Sequence, residues 1–335
     1  MSEGKIYPER IPLVIAECGI NHGGSLQTAM EMVDACAAPV IKFQTHIPEE
    51  EMSEEAKYIK PDNADVSIYE LMEQCALSEE EERVLKAYVE SKGKVFLSTP
   101  FCNAAVDRLE RLGVEAYKIG SGECNNIPLL EYIADTGRPV ILSTGMNDME
   151  SIERAVKIFE GRHILALLHC TNVYPTPHEL VRLDGITQLQ NRFPDAIIGF
   201  SDHTQDNYSA FAAVGMGACI IEKHFTDSKA RSGPDICCSA DPAQLADVLV
   251  GVDAISKAWG GEKGILREEK SVSKFAFASL VAKKDMEPGE IFTSLSLTTK
   301  RPGTGLPASM YGEILGKACS RRLRAGDQLN ESDIA

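Results

Sequence analysis

Residues 40–45 read VIKFQT. The run is strand-length, opens on two β-branched residues, and sets Lys42 and Gln44 two positions apart. Side chains two apart on a strand point the same way, so this apolar segment carries one polar edge. Seven further runs resemble it: Leu13–Glu17 (LVIAE), Lys94–Thr99 (KVFLST), Ala116–Ser121 (AYKIGS), Pro139–Thr144 (PVILST), Ile164–Cys170 (ILALLHC), Ala196–Asp202 (AIIGFSD) and Cys219–Phe225 (CIIEKHF). Short, continuous apolar runs predict strands buried on both faces, as in a parallel sheet.

Helical patterns fill the gaps. Ser25 is placed to cap a helix with Leu26, Ala29, Met30 and Val33 on one face. Val84, Leu85, Tyr88 and Val89 form a second stripe that ends near Gly93, and Asn103 is the expected cap of a third, carrying Leu109 and Leu112. Ile152, Ala155, Val156 and Phe159 repeat the period; Asp241-Pro242 opens a helix through Leu245, Val248, Leu249, Val252 and Ile255. Strand and helix alternate eight times, which predicts an α/β (β/α)8 TIM barrel. No GxGxxG follows the first strand, which weakens a dinucleotide-binding fold. The barrel is expected over 1–262 and a polar linker over 263–274. Residues 275–335, broken by Pro and Gly, are expected to form a small irregular module.

The chain has 335 residues, 34 Lys+Arg against 50 Asp+Glu, and a net charge of −16. That balance argues against a nucleic-acid binder, which needs a basic face. No run approaches a membrane-spanning length and the N-terminus lacks a signal-peptide layout, so a cytoplasmic location is expected. The ten cysteines contain no CxxC pair, which argues against a zinc ribbon and for small buried hydrophobes.

Catalytic groups of such barrels sit at the C-terminal strand ends. Here those ends are polar: Glu17 with Asn21-His22; Lys42 and Gln44; Ser98-Thr99; Lys118 with Ser121 and Glu123; Ser143-Thr144; His169, Thr171, Asn172 and Tyr174; Ser201-Asp202-His203; Glu222 and His224. Lys223, between the last two, faces the other way and reads as structural. Two lysines among hydroxyls on one rim suit a phosphate or a phosphate plus a carboxylate. His203 and His224 follow neighbouring strands, where two imidazoles can share a divalent metal or simply bond within the rim. His163 and His178 read as surface or loop residues.

The ordered segments IAECGINHGGS, KFQTH, STPF, YKIGSGECNN, LSTGM, LHCTNVYPTP, GFSDHT, EKHF and GPDICCS resemble the bacterial sialic acid synthases. The tail, with FAFASLVAKKDMEPGE and KRPGTG, resembles their C-terminal antifreeze-like (SAF, β-clip) domain. The resemblance covers nearly the whole chain. It implies a domain-swapped homodimer that condenses N-acetylmannosamine, phosphoenolpyruvate and water into N-acetylneuraminate and phosphate. It also implies a divalent metal, Mn2+ first, with Mg2+ or Co2+ as alternatives. By the same resemblance His203 and His224 are the metal ligands. Lys42, Thr99, Lys118, Ser121, Ser143, Asn172 and Ser201 are the phosphoenolpyruvate cradle. Glu17, Gln44, Tyr174 and Asp235 contact the open-chain sugar, and Arg301 of the partner's small domain holds its N-acetyl group. Glu17, Glu123, Glu222 and His203 are the catalytic candidates, with Glu123 and Glu222 for proton transfer. The pocket is expected to be locally basic within an acidic surface.

The segment DACAAPV, 34–40, is shorter than the family's usual connection between the first helix and the second strand. A shortened helix or tight turn away from the rim is expected; a one-residue register shift would instead turn Lys42 and Gln44 outwards. The ECNN and HCTNVYPTP wording points to N-acetylneuraminate over the sister legionaminic or pseudaminic acid synthases. A Schiff-base aldolase using Lys42 or Lys118 is a reading of another class. A non-enzymatic module built on the tail is disfavoured by its charged SRRLRAGD segment.

Overall fold

The computed structural model describes residues 11–61, 64–161 and 164–335; the first ten residues and His163 lie outside them. Eight parallel strands, β1 Leu13–Gly19, β2 Val40–Thr45, β3 Val95–Pro100, β4 Tyr117–Ile119, β5 Val140–Ser143, β6 Leu165–Cys170, β7 Ile197–Asp202 and β8 Ile220–His224, pair in the order β3-β2-β1-β8-β7-β6-β5-β4. β3 and β4 lie against each other and bring the sheet round into a barrel. A longer helix follows each strand: α1 Leu26–Ala35, α2 Glu79–Ser91, α3 Asn103–Leu112, α4 Ile127–Asp135, α5 Met149–Phe159, α6 Asp184–Arg192, α7 Tyr208–Gly215 and α8 Pro242–Ala258. Short helices Pro48–Glu51 and Ile68–Cys75 enlarge the β2–α2 connection.

Local chemistry sets the helix starts. Ser25 Oγ accepts from Thr28 N at 3.2 Å, and Ser78 with Glu81 forms a capping box at α2. Asp241 accepts from Gln244 N at 2.9 Å, with Pro242 in the first helical turn of α8. Such caps contribute about 1 kcal/mol each. Asn103 is not a cap: the extended backbone falls one residue earlier, at Cys102, and Asn103 is the first residue of α3.

Strand alternation sorts the side chains into two layers. Val14, Ala16, Ile41, Phe43, Tyr117, Phe200 and Ile221 pack outward in one core with the helices. Ile15, Val40, Leu97, Ala166, Leu168 and Ile220 form a separate apolar cluster. Two residues further along the same strands come Glu17, Lys42, Thr99, Cys170 and Glu222, all buried. The apolar cluster is therefore a plug beneath a polar layer at the C-terminal strand ends.

The short connection after α1 is tied down at the opposite end. Lys94 Nζ donates to Cys36 O at 2.7 Å and Ala38 O at 3.0 Å, and Val95 N donates to Pro39 O. The register holds, with Glu17 opposite Lys42. The ten cysteines are free thiols, and Cys237 is the exposed one. Among the described residues no helix is long and apolar enough to cross a membrane.

A second unit spans 261–335. Its strands β9 Ser279–Ala282 and β10 Leu297–Lys300 pair antiparallel, over a core that includes Leu280, Phe292, Leu297, Leu323 and Leu329. The helix Lys270–Ala276 is bonded into this unit, because Gly303 N donates to Lys274 O at 2.8 Å.

Candidate active site

A cavity of about 250 Å³ opens at the C-terminal strand ends. It is lined by Glu17, Lys42, Gln44, Thr99, Lys118, Ser121, Glu123, Ser143, Asn172, Tyr174, Ser201, His203, Glu222, His224 and Asp235. All the barrel residues given a catalytic, substrate-binding or metal-binding role by the resemblance thus meet in one place. Arg301 is exposed and belongs to the second unit. Phe101 and Cys170 also line the cavity and were not singled out, although Phe101 lies two residues beyond Thr99 and Cys170 two residues before Asn172.

Ammonium groups and carboxylates share the floor. Lys42 Nζ lies 2.5 Å from Glu17 Oε1 and 3.9 Å from Glu222 Oε1, while Lys118 Nζ lies 3.7 Å from Glu222 Oε2. Lys118 also donates to Ser143 Oγ at 2.6 Å, and Ser201 Oγ donates to Glu222 Oε1 at 3.3 Å. Burial opposes the charge on Lys42, but Glu17 and Glu222 outweigh it and hold its ammonium above the usual lysine range. Burial wins at Lys118, which is held lower. Burial would raise Glu222, yet Lys118 and Lys42 together bring it below the ordinary carboxylate value.

The other carboxylates go the opposite way. Burial raises Glu17 despite Lys42, raises Asp235, and lifts Glu123 to about 7. The expectation of a locally basic pocket is therefore corrected: four carboxylates accompany two lysines. Burial opposes the charge on Glu17, Glu123 and Asp235, whereas the two lysines favour it on Glu222.

His203 and His224 stand with ring centroids 5.4 Å apart, and Tyr174 lies 4.3 Å from His203 and edge-on to His224. Burial lowers both imidazoles to about 4, so both are neutral near pH 7. His203 Nδ1 donates to Thr171 O at 2.7 Å, which leaves the Nε2 lone pair free. His224 Nδ1 is buried without a hydrogen-bond partner. Neutral imidazoles with free lone pairs, one oriented by a backbone carbonyl, fit a divalent metal. Among the described residues no cluster of three or more His, Cys, Asp or Glu forms a ready-made cage. Two imidazoles would leave the remaining positions to substrate and water.

The hydroxyl and amide rim is held from behind. Ser121 Oγ accepts from Gly145 N at 3.0 Å and lies 3.1 Å from Cys170 Sγ; Asn147 Nδ2 donates to Ser121 O. A Cβ at Gly145 would stand 1.8 Å from Asn172 Oδ1 and force that side chain to move. Thr99 Oγ1, Glu17 Oε2 and Glu222 Oε2 are buried without a hydrogen-bond partner, which leaves them able to bond a ligand.

Other polar strand-end residues point elsewhere. Ser98 Oγ meets Thr45 Oγ1 at 2.7 Å. His169 Nε2 donates to Val181 O, and His169 lines a separate cavity with Arg182. His22 packs near Phe43, and burial lowers it to about 4. His178 is a surface residue 3.0 Å from Asp206. Lys223 faces outward and pairs with Asp202 at 2.8 Å, both fully buried.

Comparison with known proteins agrees with this geometry. The profile of the NeuB family matches residues 29–264, and that of the SAF domain matches residues 277–335. The N,N'-diacetyllegionaminic acid synthase of Campylobacter jejuni subsp. jejuni is 37% identical, over 95% of this chain and 99% of its own. The N-acetylneuraminate-9-phosphate synthase of Homo sapiens is 32% identical, over 95% and 91%. A crystal structure of N-acetylneuraminic acid (sialic acid) synthetase from Leptospira borgpetersenii serovar Hardjo-bovis, in complex with citrate, superposes with a TM-score of 0.72. It shares 34% identity, over 81% of this chain and 93% of that one.

Proposed function

The chain belongs to the NeuB family and ends in a SAF domain, and from that premise we propose that it is a phosphoenolpyruvate-dependent sugar-acid synthase. It joins the enol phosphate to the aldehyde of an open-chain acylamino hexose and releases phosphate. The observation that carries this reading is the cavity floor: Lys42 and Lys118 flank Glu222 beneath a ring of hydroxyls, beside two neutral imidazoles. That set can hold two anionic groups and a carbonyl oxygen at once.

Lys118 with Ser143, Lys42, Ser201 and Asn172 would bind the phosphate and carboxylate of phosphoenolpyruvate. Thr99 Oγ1, buried without a partner, would donate to one of those oxygens. Carbon 3 attacks the sugar aldehyde and leaves a cationic centre at carbon 2, which the carboxylates nearby stabilise. Water adds at carbon 2, and phosphate departs with cleavage of its C–O bond. Glu123, lifted to about 7, is suited to take the water's proton near neutral pH. Glu222 is tied between two lysines and serves as their charge partner. Glu17, Gln44, Tyr174 and Asp235 would orient the sugar. His203 and His224 would hold Mn2+, with Mg2+ or Co2+ as alternatives, and the metal when bound supplies a Lewis acid for the carbonyl oxygen. Arg301 would reach the N-acetyl group from the partner's SAF domain in a homodimer. An Arg301→Ala variant with an unchanged kcat/KM for the sugar would overturn that role.

N-acetylmannosamine, giving N-acetylneuraminate, is the first reading, supported by the ECNN and HCTNVYPTP segments and by the likeness to the Leptospira structure. A diacetamido-dideoxy sugar, leading to legionaminic or pseudaminic acid, is the second. It is favoured by the 37% identity to the Campylobacter synthase against 32% to the human one. Phosphate release by metal-stripped protein, with Mn2+ restored, across both sugar classes separates them. Release with neither sugar overturns the proposal, as does activity that survives in His203→Ala and His224→Ala. Borohydride with pyruvate should leave the protein unmodified; an adduct on Lys42 or Lys118 would mean an aldolase.

A further inference from the structure

His46 lies two residues beyond Gln44, just past the end of β2. Its imidazole is buried behind the cavity wall and stacked on Phe101, with centroids 4.3 Å apart and planes at 13°. Nε2 is 2.9 Å from Gln44 Oε1, and Nδ1 is 2.9 Å from Glu51 Oε1 in the short helix Pro48–Glu51. The Glu51 side chain is buried as well, 3% exposed. These contacts form one line, Glu51–His46–Gln44–Glu17–Lys42, that runs from outside the cavity to its floor.

Hydrogen-bond polarity along the line can be assigned from its inner end. Glu17 Oε1 lies 2.5 Å from the Lys42 ammonium, so that oxygen is an acceptor. The Gln44 group 3.0 Å from the same oxygen must then be the amide NH2. The amide oxygen is left facing His46, which must donate from Nε2. In the flipped amide, a carbonyl oxygen would meet Glu17 Oε1, the oxygen already held by the Lys42 ammonium, a repulsive contact in a buried site.

We propose that His46 is a positioning residue: its Nε2–H locks the Gln44 amide so that the second N–H of Gln44 faces the cavity as a donor. The wall at Gln44 therefore recognises an acceptor oxygen of the ligand and rejects a group that only donates. That the ligand is a polyhydroxylated open-chain sugar rests on the synthase reading above; the orientation of Gln44 does not. Phe101 adds the other half of the device by fixing the imidazole plane, which keeps Nε2 aimed at Gln44.

The test uses the full-length chain. Nitrogen-15 NMR of the histidine rings, with His46 assigned by its loss in His46→Gln, should show a protonated Nε2; an unprotonated Nε2 overturns the proposal. His46→Phe keeps the stacking and removes the donor, whereas His46→Gln restores an N–H. Sugar KM should rise about tenfold in His46→Phe, recover to within about threefold in His46→Gln, and leave the KM for phosphoenolpyruvate within twofold. A parallel rise in both KM values, or no rise, overturns it. If His46→Phe does not fold, the ring-nitrogen readout still decides. If the wild type releases no phosphate with any sugar, the synthase reading falls while the ring nitrogen still tests His46.

Discussion

Lys42 on β2 sits directly opposite Glu17 on β1, with its Nζ 2.5 Å from Glu17 Oε1, and neither side chain is more than 4% exposed. A buried ion pair of this kind is costly to break from one side, because the survivor is left without a counter-charge. Lys42→Met should therefore lower stability by about 3–5 kcal/mol and phosphate release by about 10²–10³-fold. The double variant Lys42→Met/Glu17→Gln should regain most of the stability and none of the activity. Urea unfolding alongside phosphate release checks both halves. Activity that returns with stability would mean Lys42 is a structural residue.

Gly145 is a steric contact between backbone and cradle. A Cβ at 145 would stand 1.8 Å from Asn172 Oδ1 and 2.8 Å from Cys170 Sγ. Gly145→Ala should displace Asn172, cost about 1–3 kcal/mol by overpacking, and raise the KM for phosphoenolpyruvate more than that for the sugar. Steady-state kinetics with each substrate varied in turn reads this directly. Equal KM values in variant and wild type would remove Asn172 from the cradle.

The Asp202–Lys223 pair is the control for Lys42. It is fully buried, 2.8 Å apart, and faces away from the cavity; Lys223 also donates to Thr204 O, and Asp202 accepts from Thr204 N. Asp202→Ala should cost about 3–5 kcal/mol while kcat/KM of the folded protein stays within about twofold. A large loss of kcat/KM at unchanged stability would contradict this division of roles.

Glu82 in α2 gives a pH signature outside the site. Burial lifts its carboxyl to about 7, against the partial pull of Arg108 and Thr45, from an ordinary 4.5. Between those values the folded chain keeps a proton that the unfolded chain releases, so this contribution is full below about 4.5 and is lost as pH rises through 7. The loss amounts to about 2–3 kcal/mol between pH 5 and 8. Glu82→Gln removes the ionisation, so its stability relative to wild type should improve by about that amount over the same range. Parallel pH–stability curves from urea melts would sink the assignment.

Much of the cavity was legible because strand periodicity is local. Lys42 with Gln44, and Glu222 with His224, share a face wherever their strands end up, and Lys223 must take the other. The same rule reaches His46, two residues beyond Gln44 in KFQTH, although the strand itself ends at Thr45. Adjacent hydroxyls were harder. Ser98 and Thr99 look alike in the sequence, and the structure sends Ser98 to Thr45 and Thr99 to the cavity. Asn103 failed as a cap because capping depends on where the backbone turns extended, and that falls at Cys102.

The barrel, the order of its strands along the chain and the residue types at the C-terminal rim are all legible in the amino-acid order. These follow from apolar runs and a period of two, which need no partner. Only the packing of the closed barrel sets the direction in which each pocket carboxyl is shifted. Glu17, Glu123, Glu222 and Asp235 come from separate segments, and their proton affinities depend on how deeply each is buried and which lysine stands beside it. It also decided the polarity of Gln44, because that rests on a line of contacts joining β1, β2 and the helix Pro48–Glu51. Electrostatics and hydrogen-bond direction are sums over neighbours in space, and only the closed barrel brings those neighbours together.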